Sequence, residues 1–232
     1  MRPIRKFYFL PPFLLQTSIW IPCFIIFRIF TSIKISGLDN LIGLERGLIF
    51  AANHTSELDP ILVPSSLPFL SRFMPMFYTS REKSFYIKSG WRQIIYGGLF
   101  FKAWGSYAVR VGKKDYQYAL ENHIQIIRDG GSLCIFPEGK RTPDGELKKA
   151  KGGVAFLSHI TGVPIVPVAI EGLFGLSFKR FFSRKHKFGV SFGSPIYPQN
   201  LLLSNNPNHQ DFEEAAERVM KEISLLLGKN FK

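Results

Sequence analysis

Gly47-Leu-Ile-Phe-Ala-Ala-Asn-His-Thr-Ser-Glu-Leu-Asp-Pro60 is the stretch from which the architecture is read. Gly47 to Ala52 is a short, continuous apolar run bounded by turn signals, and it reads as a buried strand. Polar, reactive residues follow at once, and strand ends are where α/β proteins place their sites. The same sequence of events recurs downstream. Ser132 to Phe136 reads as a second buried strand and leads into a polar, charged loop. Val163 to Ile170 reads as a third, with Pro164 and Pro167 in it, and Lys187 to Phe192 as a fourth.

Helical patterns lie between and after these runs. Asp115 is placed to cap a helix in which Tyr116, Ala119, Leu120, Ile124 and Ile127 share a face, and Gly130 ends it. Another helix is expected over about 150–161, ended by Gly162. The last is expected from about Asp211 to Leu227, with Phe212, Ala216, Val219, Ile223 and Leu226 at helical spacing and Gly228 after it. Residues 61–101 are apolar, punctuated by proline and interleaved with basic residues; they read as helices or hairpins covering the site. Alternation of strands and helices predicts an α/β fold, a mixed central sheet flanked by helices. No repeat and no long linker divides the chain.

The N-terminus adds a different element. Between Lys6 and Arg28 no charge occurs, a length that suits a bilayer. Pro11, Pro12 and Pro22 argue against one straight helix there. No small-residue cleavage site follows, so a removable signal peptide is not the expectation. Arg2, Arg5 and Lys6 flank one end and Arg28 and Lys34 the other, so the charges give no orientation. A segment inserted into one leaflet or crossing the bilayer is the preferred reading, against a buried hydrophobic hairpin. The expected organisation is a membrane-anchoring segment over 1–36 and a catalytic domain over 37–232.

Composition agrees with a membrane setting. Hydrophobic residues make up 46% of the 232 residues and Phe occurs 23 times, too apolar for a disordered chain. Lys and Arg outnumber Asp and Glu by 30 to 17, a formal charge of +13, which attracts polyanions. A nucleic-acid binder would account for the charge alone and leave the apolar N-terminus unexplained, so no nucleic-acid partner is expected. Cys23 and Cys134 fit neither a disulfide framework nor a zinc spacing, which agrees with a reducing compartment.

Two loops carry the chemistry. In the first, His54 leaves the strand and Asp59 follows five positions later, within reach of a turn that brings it back. A carboxylate on one imidazole nitrogen fixes the tautomer and supports the charge formed when the other nitrogen takes a proton. Such a pair activates an alcohol. No Ser or Cys sits in a nucleophile-elbow setting, so direct attack by a substrate hydroxyl is expected rather than an acyl-enzyme. The second loop, Phe136-Pro-Glu-Gly-Lys-Arg-Thr142, places a carboxylate, a permissive glycine and two cations together, a good phosphate cradle.

Together the two loops resemble the glycerolipid acyltransferase superfamily, typified by 1-acyl-glycerol-3-phosphate acyltransferases. Asn53, His54 and Asp59 match its N-H-x4-D motif, and Phe136, Pro137, Glu138, Gly139 and Arg141 match F-P-E-G-T-R-S, with Lys140 and Thr142 where Thr and Ser are usual. Gly105-Ser-Tyr-Ala-Val-Arg110 is similar to the second motif, its glycine one residue nearer the arginine. Val163-Pro-Ile-Val-Pro-Val168 is similar to the fourth. The resemblance covers about residues 48–172. It implies His54 as general base on a free glycerol hydroxyl, Asp59 orienting it, and Arg110, Glu138, Gly139 and Arg141 holding the acceptor. Lys140 is added as a second charge at the phosphate.

The resemblance further implies a membrane enzyme whose partners are membrane lipid, a lysophospholipid acceptor and an acyl-CoA or acyl-carrier-protein donor. It implies no metal or organic cofactor and an N-terminal membrane-embedded helical element. The expected location is the inner (cytoplasmic) membrane, active site on the cytoplasmic side. Leu173 to Phe182, with Arg184, Lys185 and Lys187 after it, mixes aromatics with cations. That pattern suits a membrane interface, an acidic carrier protein, or a core strand with a solvated loop. His123 and His159 read as structural or exposed. A non-catalytic basic adaptor is the reading of another class; it has no need of His54 and Asp59.

Overall fold

The strands are short and apolar on both sides, which requires helices over both faces of the sheet. The computed structural model describes residues 8–81, 99–110, 115–182, 186–202, 204 and 206–229. In chain order the elements are α1 (Leu10–Phe30), β1 (Thr31–Ser36), β2 (Ile49–Ala52), α2 (Asp59–Ser65), β3 (Met76–Ser80), α3 (Leu99–Trp104) and β4 (Ser106–Ala108). There follow α4 (Tyr116–Ala119), α5 (Glu121–Arg128), β5 (Ser132–Ile135), α6 (Gly153–Thr161), β6 (Ile165–Glu171), α7 (Phe178–Phe182), β7 (His186–Phe192), α8 (Pro198–Leu201) and α9 (His209–Leu226). Residues 82–98, part of the basic and apolar stretch expected to cover the site, lie outside the described residues, as do Arg184 and Lys185.

Seven strands form one mixed sheet in the order β1-β7-β6-β2-β5-β3-β4. Strands β2 to β6 all run the same way, and β7 turns back against β6 with β1 parallel beside it. Side chains alternate across the sheet. Ile49, Ala51, Leu133 and Ile135 pack against α5, α6 and α9 on one face; Phe50, Ala52 and Cys134 join Leu62, Met76 and Phe192 on the other. The mixed α/β architecture expected from the sequence is therefore present. Strands β1, β3 and β4 extend it beyond the four strands read from the sequence. Since β1 pairs with β7 from Thr31 to Ser36, the apolar segment expected over 1–36 shares its last six residues with the sheet.

The N-terminal prolines do not divide α1, contrary to the expectation. Pro11 and Pro12 stand in its first turn, where no helical N–H is required, and Pro22 lies inside with its ring exposed. Packing on the sheet holds the helix continuous. Phe9 meets Phe77 edge-on at 5.0 Å, Trp20 Nε1 donates to Leu67 O at 3.1 Å, and Phe27 meets Phe188 at 5.9 Å. In the middle, buried Gln16 donates to Met76 O and Trp104 O at 2.7 and 2.8 Å and accepts from Met76 N at 2.9 Å. These contacts recur at helical spacing and define one face. The other face carries Leu10, Leu14, Ile21, Ile25 and Ile29, all about half exposed. Phe69, Leu70 and Phe182 extend that apolar surface; Trp20 touches Phe69, and Phe30 touches Phe182. The helix is long and apolar enough to cross a membrane.

The helix expected over 115–129 is broken in two. Asp115 caps its start, accepting from Gln117 N and Tyr118 N, but Leu120 leaves helical geometry and Ala119 O accepts from Arg110 N at 3.1 Å. The final helix starts two residues earlier than expected, at an Asn208–Asp211 capping box.

His123, on α5, is fully buried, as a structural histidine should be. Its Nε2 donates to Tyr107 O at 3.1 Å, while Nδ1 has no hydrogen-bond partner among the described residues. Burial pushes its pKa down from 6.5 to about 4, against the backbone of Tyr107 and Tyr78. The unfolded chain therefore takes the proton first on acidification. The stability that the neutral ring confers is complete above about pH 6.5 and lost by about pH 4, a total of about 3 kcal/mol. Urea unfolding in detergent from pH 7 to 4 should show that loss. His123→Gln should be less stable at pH 7 and lack the slope in that window.

Candidate active site

The carboxyl ends of β2 and β5 lie side by side, so the loops after them share one edge of the sheet. Asn53 anchors the first loop. Its amide donates to Ile170 O at 3.0 Å and accepts from Ile170 N at 2.7 Å, tying the end of β2 to β6 in place of ladder bonds.

His54 is fixed at every polar atom but one. Its N–H donates to Glu138 Oε1 at 2.9 Å, and its carbonyl accepts from Thr142 N at 2.9 Å. Its ring stacks on Phe136 with centroids 4.1 Å apart. Nδ1 lies 2.8 Å from Asp59 Oδ2. The chain turns between the two, and Asp59 opens α2, just ahead of Pro60.

Asp59 is fully buried and accepts from Thr55 N at 2.6 Å and Ser56 N at 2.8 Å. A carboxylate so surrounded by donors can only accept from the ring, so Nδ1 carries the proton and Nε2 presents its lone pair. Nε2 has no hydrogen-bond partner among the described residues, and the His54 side chain is 21% exposed. A base of this kind takes a proton from a hydroxyl at hydrogen-bond distance.

Glu138 sits deeper than an acceptor-binding carboxylate would. It is buried, and its two oxygens are engaged, Oε1 by His54 N and Oε2 by Lys148 N at 3.0 Å. Burial pushes its carboxyl above the usual range, opposed by those two N–H groups. Gly139 follows at the surface with φ of +68°, a conformation that favours glycine.

The three cations and one glycine expected at the phosphate are not all gathered. Gly139, Lys140 and Arg141 are exposed on the same turn. Arg141 Nη1 reaches Glu57 Oε1, in the first loop, at 3.2 Å. Both partners are half exposed, so the pair contributes little stability and its guanidinium is open to exchange. Arg110 lies elsewhere. It follows β4, three strand spacings or about 14 Å from β2. Its guanidinium bonds Glu121 Oε2 at 2.6 Å and lies over the Tyr118 ring.

Two cations not singled out in the sequence stand at the turn instead. Arg81 follows β3, and its Nη2 donates to Gly139 O at 3.5 Å. Lys151 lies against Gly139: a Cβ added there would be 3.0 Å from both Cε and Nζ of the lysine. Arg81 was legible as a cation after a strand had β3 been recognised; Lys151 gave no signal. Beside the turn, a cavity of about 250 Å³ is bordered by Asn53, Thr55, Glu138, Glu146, Glu171 and Phe174.

Comparison with known proteins gives the family and the fold. A family model described as Acyltransferase matches residues 32–171. A Mycoplasma pneumoniae protein named "Probable 1-acyl-sn-glycerol-3-phosphate acyltransferase" is 29% identical over 191 residues, 78% of this chain and 66% of that protein. The chloroplastic 1-acyl-sn-glycerol-3-phosphate acyltransferase BAT2 of Brassica napus is 28% identical over 144 residues, 62% of this chain and 38% of that protein. The chain thus spans less than two thirds of the length of either relative. The crystal structure of the LPA acyltransferase PlsC from Thermotoga maritima shares the fold, with a TM-score of 0.64 at 20% identity over 100% of this chain and 86% of that one.

Proposed function

This chain belongs to the acyltransferase family, and we propose that it moves a fatty acyl group from acyl-CoA or acyl-carrier-protein to the free hydroxyl of 1-acyl-glycerol 3-phosphate, giving phosphatidate for phospholipid synthesis. The observation that carries this reading is the His54 Nδ1–Asp59 contact of 2.8 Å, with Nε2 left to face a substrate.

His54 Nε2 takes the proton of the acceptor hydroxyl as its oxygen attacks the thioester carbonyl. Asp59 supports the imidazolium that forms. The tetrahedral intermediate collapses with loss of the thiolate, which recovers the proton from His54. The carbon–sulfur bond breaks, the ester bond forms, and the base is restored; no metal or organic cofactor is needed. Glu138 holds His54 in place through its backbone rather than touching the acceptor. Gly139, Lys140 and Arg141 present the turn to the acceptor phosphate. Arg110 joins them only by giving up Glu121, an exchange that an incoming dianion favours.

Membrane attachment follows from α1. The helix is about 31 Å long, and seven strands span about 29 Å, so it crosses the sheet from β3 to β1. A bilayer-spanning α1 would draw the sheet edges into hydrocarbon, where their unpaired backbone groups find no partner. The helix therefore lies in one leaflet, its Leu10–Ile29 face in the lipid and the domain beside it. This supports a monotopic enzyme; we propose the inner (cytoplasmic) membrane as the one it enters, with the site on the cytoplasmic side.

The test is acyl transfer in anionic vesicles, with labelled acyl-CoA or acyl-carrier-protein and a panel of acceptors. Lysophosphatidate should be the best acceptor and phosphatidate the labelled product. A preference of tenfold or more for another lysophospholipid, for glycerol 3-phosphate or for an aminolipid contradicts the head-group assignment. Trypsin sealed inside the same vesicles should leave the chain intact; a spanning chain would present one of its arginine-bearing flanks to it.

A further inference from the structure

Charge favours a phosphate on only one of the two sides of the Gly139 turn. On one side lies the cavity, whose border includes Glu138, Glu146 and Glu171. The single lysine there, Lys229, is already drawn to Glu146 Oε1 at 3.6 Å. Three carboxylates against one partnered cation repel a dianion. The opposite balance holds at Gly139. Arg81 reaches its carbonyl oxygen, and the Lys151 ammonium stands 3.0 Å from where any other residue at 139 would carry its Cβ.

Lys151 is held there by its backbone. Its N–H donates to Pro137 O at 2.9 Å, tying the residue to the same turn from the loop ahead of α6. Its side chain is exposed and has no hydrogen bond or ion pair among the described residues. An ammonium beside the turn, with its three donors unused among the described residues, is poised for an anion. The positive φ favours glycine at 139, and a methyl group there would press on the lysine at 3.0 Å.

We infer that Lys151 is a specificity-determining residue, which binds the phosphomonoester of the acceptor at the Gly139 turn and favours it over neutral and zwitterionic head groups. The inference rests on the phosphorylated acceptor proposed above and adds the residue that selects it. The lysine does not touch the reacting hydroxyl, so its loss should raise KM and spare kcat.

The experiment compares wild type, Lys151→Met and Lys151→Arg in phosphatidylcholine vesicles, which carry no net surface charge. Two acceptors are offered, 1-oleoyl-lysophosphatidate and 1-oleoyl-glycerol, the second lacking the phosphate. Lys151→Met should raise KM for lysophosphatidate by roughly 10- to 100-fold, as expected for loss of a charge-assisted hydrogen bond. Its kcat should stay within about threefold, and KM for 1-oleoyl-glycerol should not move. Lys151→Arg should recover most of the loss. An unchanged KM for lysophosphatidate, or an equal loss on both acceptors, overturns the inference while leaving the acyl-transfer reading in place. A wild-type enzyme that transfers to no phosphorylated acceptor overturns both.

Discussion

Asp59→Asn should lower kcat by about 10³- to 10⁴-fold with little change in KM or stability, as carboxamide replacement does in His–Asp pairs elsewhere. The Asn oxygen can still accept from Thr55 N and Ser56 N, now at 2.6 and 2.8 Å from Asp59 Oδ2. The fold of the loop therefore survives. That same Oδ2 position faces His54 Nδ1, so the amide oxygen accepts there too but brings no charge to the ring. The imidazolium that forms when Nε2 takes the substrate proton then has no carboxylate to support it. His54→Ala should cost at least as much, and the double variant no more than the worse single one, since the two residues act as a unit. Single-turnover rates of the three proteins, measured at saturating acceptor, check both statements.

The second large effect is expected at Glu138. Its carboxylate is buried with both oxygens taken, and two partly buried N–H groups, those of His54 and Lys148, depend on it. Glu138→Ala leaves both without a partner. Each orphaned donor costs about 1–3 kcal/mol, so the loss should be about 2–6 kcal/mol, or a melting temperature lower by roughly 4–24 °C in a chain of this size. The backbone of His54 then loses its tether to the second loop, and kcat should fall by about 100-fold, a step expected when a catalytic group is misplaced by as little as 1 Å. A variant with normal kcat and normal melting would remove Glu138 from the support of the site. Should Glu138 instead contact the acceptor, KM would rise with stability unaltered.

Much of this was legible before any coordinates. His54, Asp59 and the Phe136–Thr142 loop follow strands whose apolar runs are unbroken, and a buried parallel strand leaves that mark in a sequence. What stayed hidden was set by contacts distant in sequence. β4 is three residues long and exists because Tyr78, Thr79 and Ser80 pair with it. β1 continues directly from α1, so its residues read as the end of an apolar segment. Pro22 would break an isolated helix, but the Gln16 clamp and the aromatic contacts at both ends hold α1 to the sheet on either side of it. Arg110 was legible as a motif residue, but not its pairing with Glu121 eleven positions on. Lys151 meets Gly139 through the hydrogen bond to Pro137 O, fourteen residues back, which no local pattern records.

The central claim is that a substrate hydroxyl attacks the thioester directly, with His54 as its base. The most direct test incubates wild type and His54→Ala with acyl-labelled thioester and lysophosphatidate, quenches in acid, and separates lipid from protein. The account predicts label in phosphatidate for wild type alone and none on the protein of either. Label retained on the wild-type polypeptide, or phosphatidate formed by His54→Ala at the wild-type rate, would contradict it.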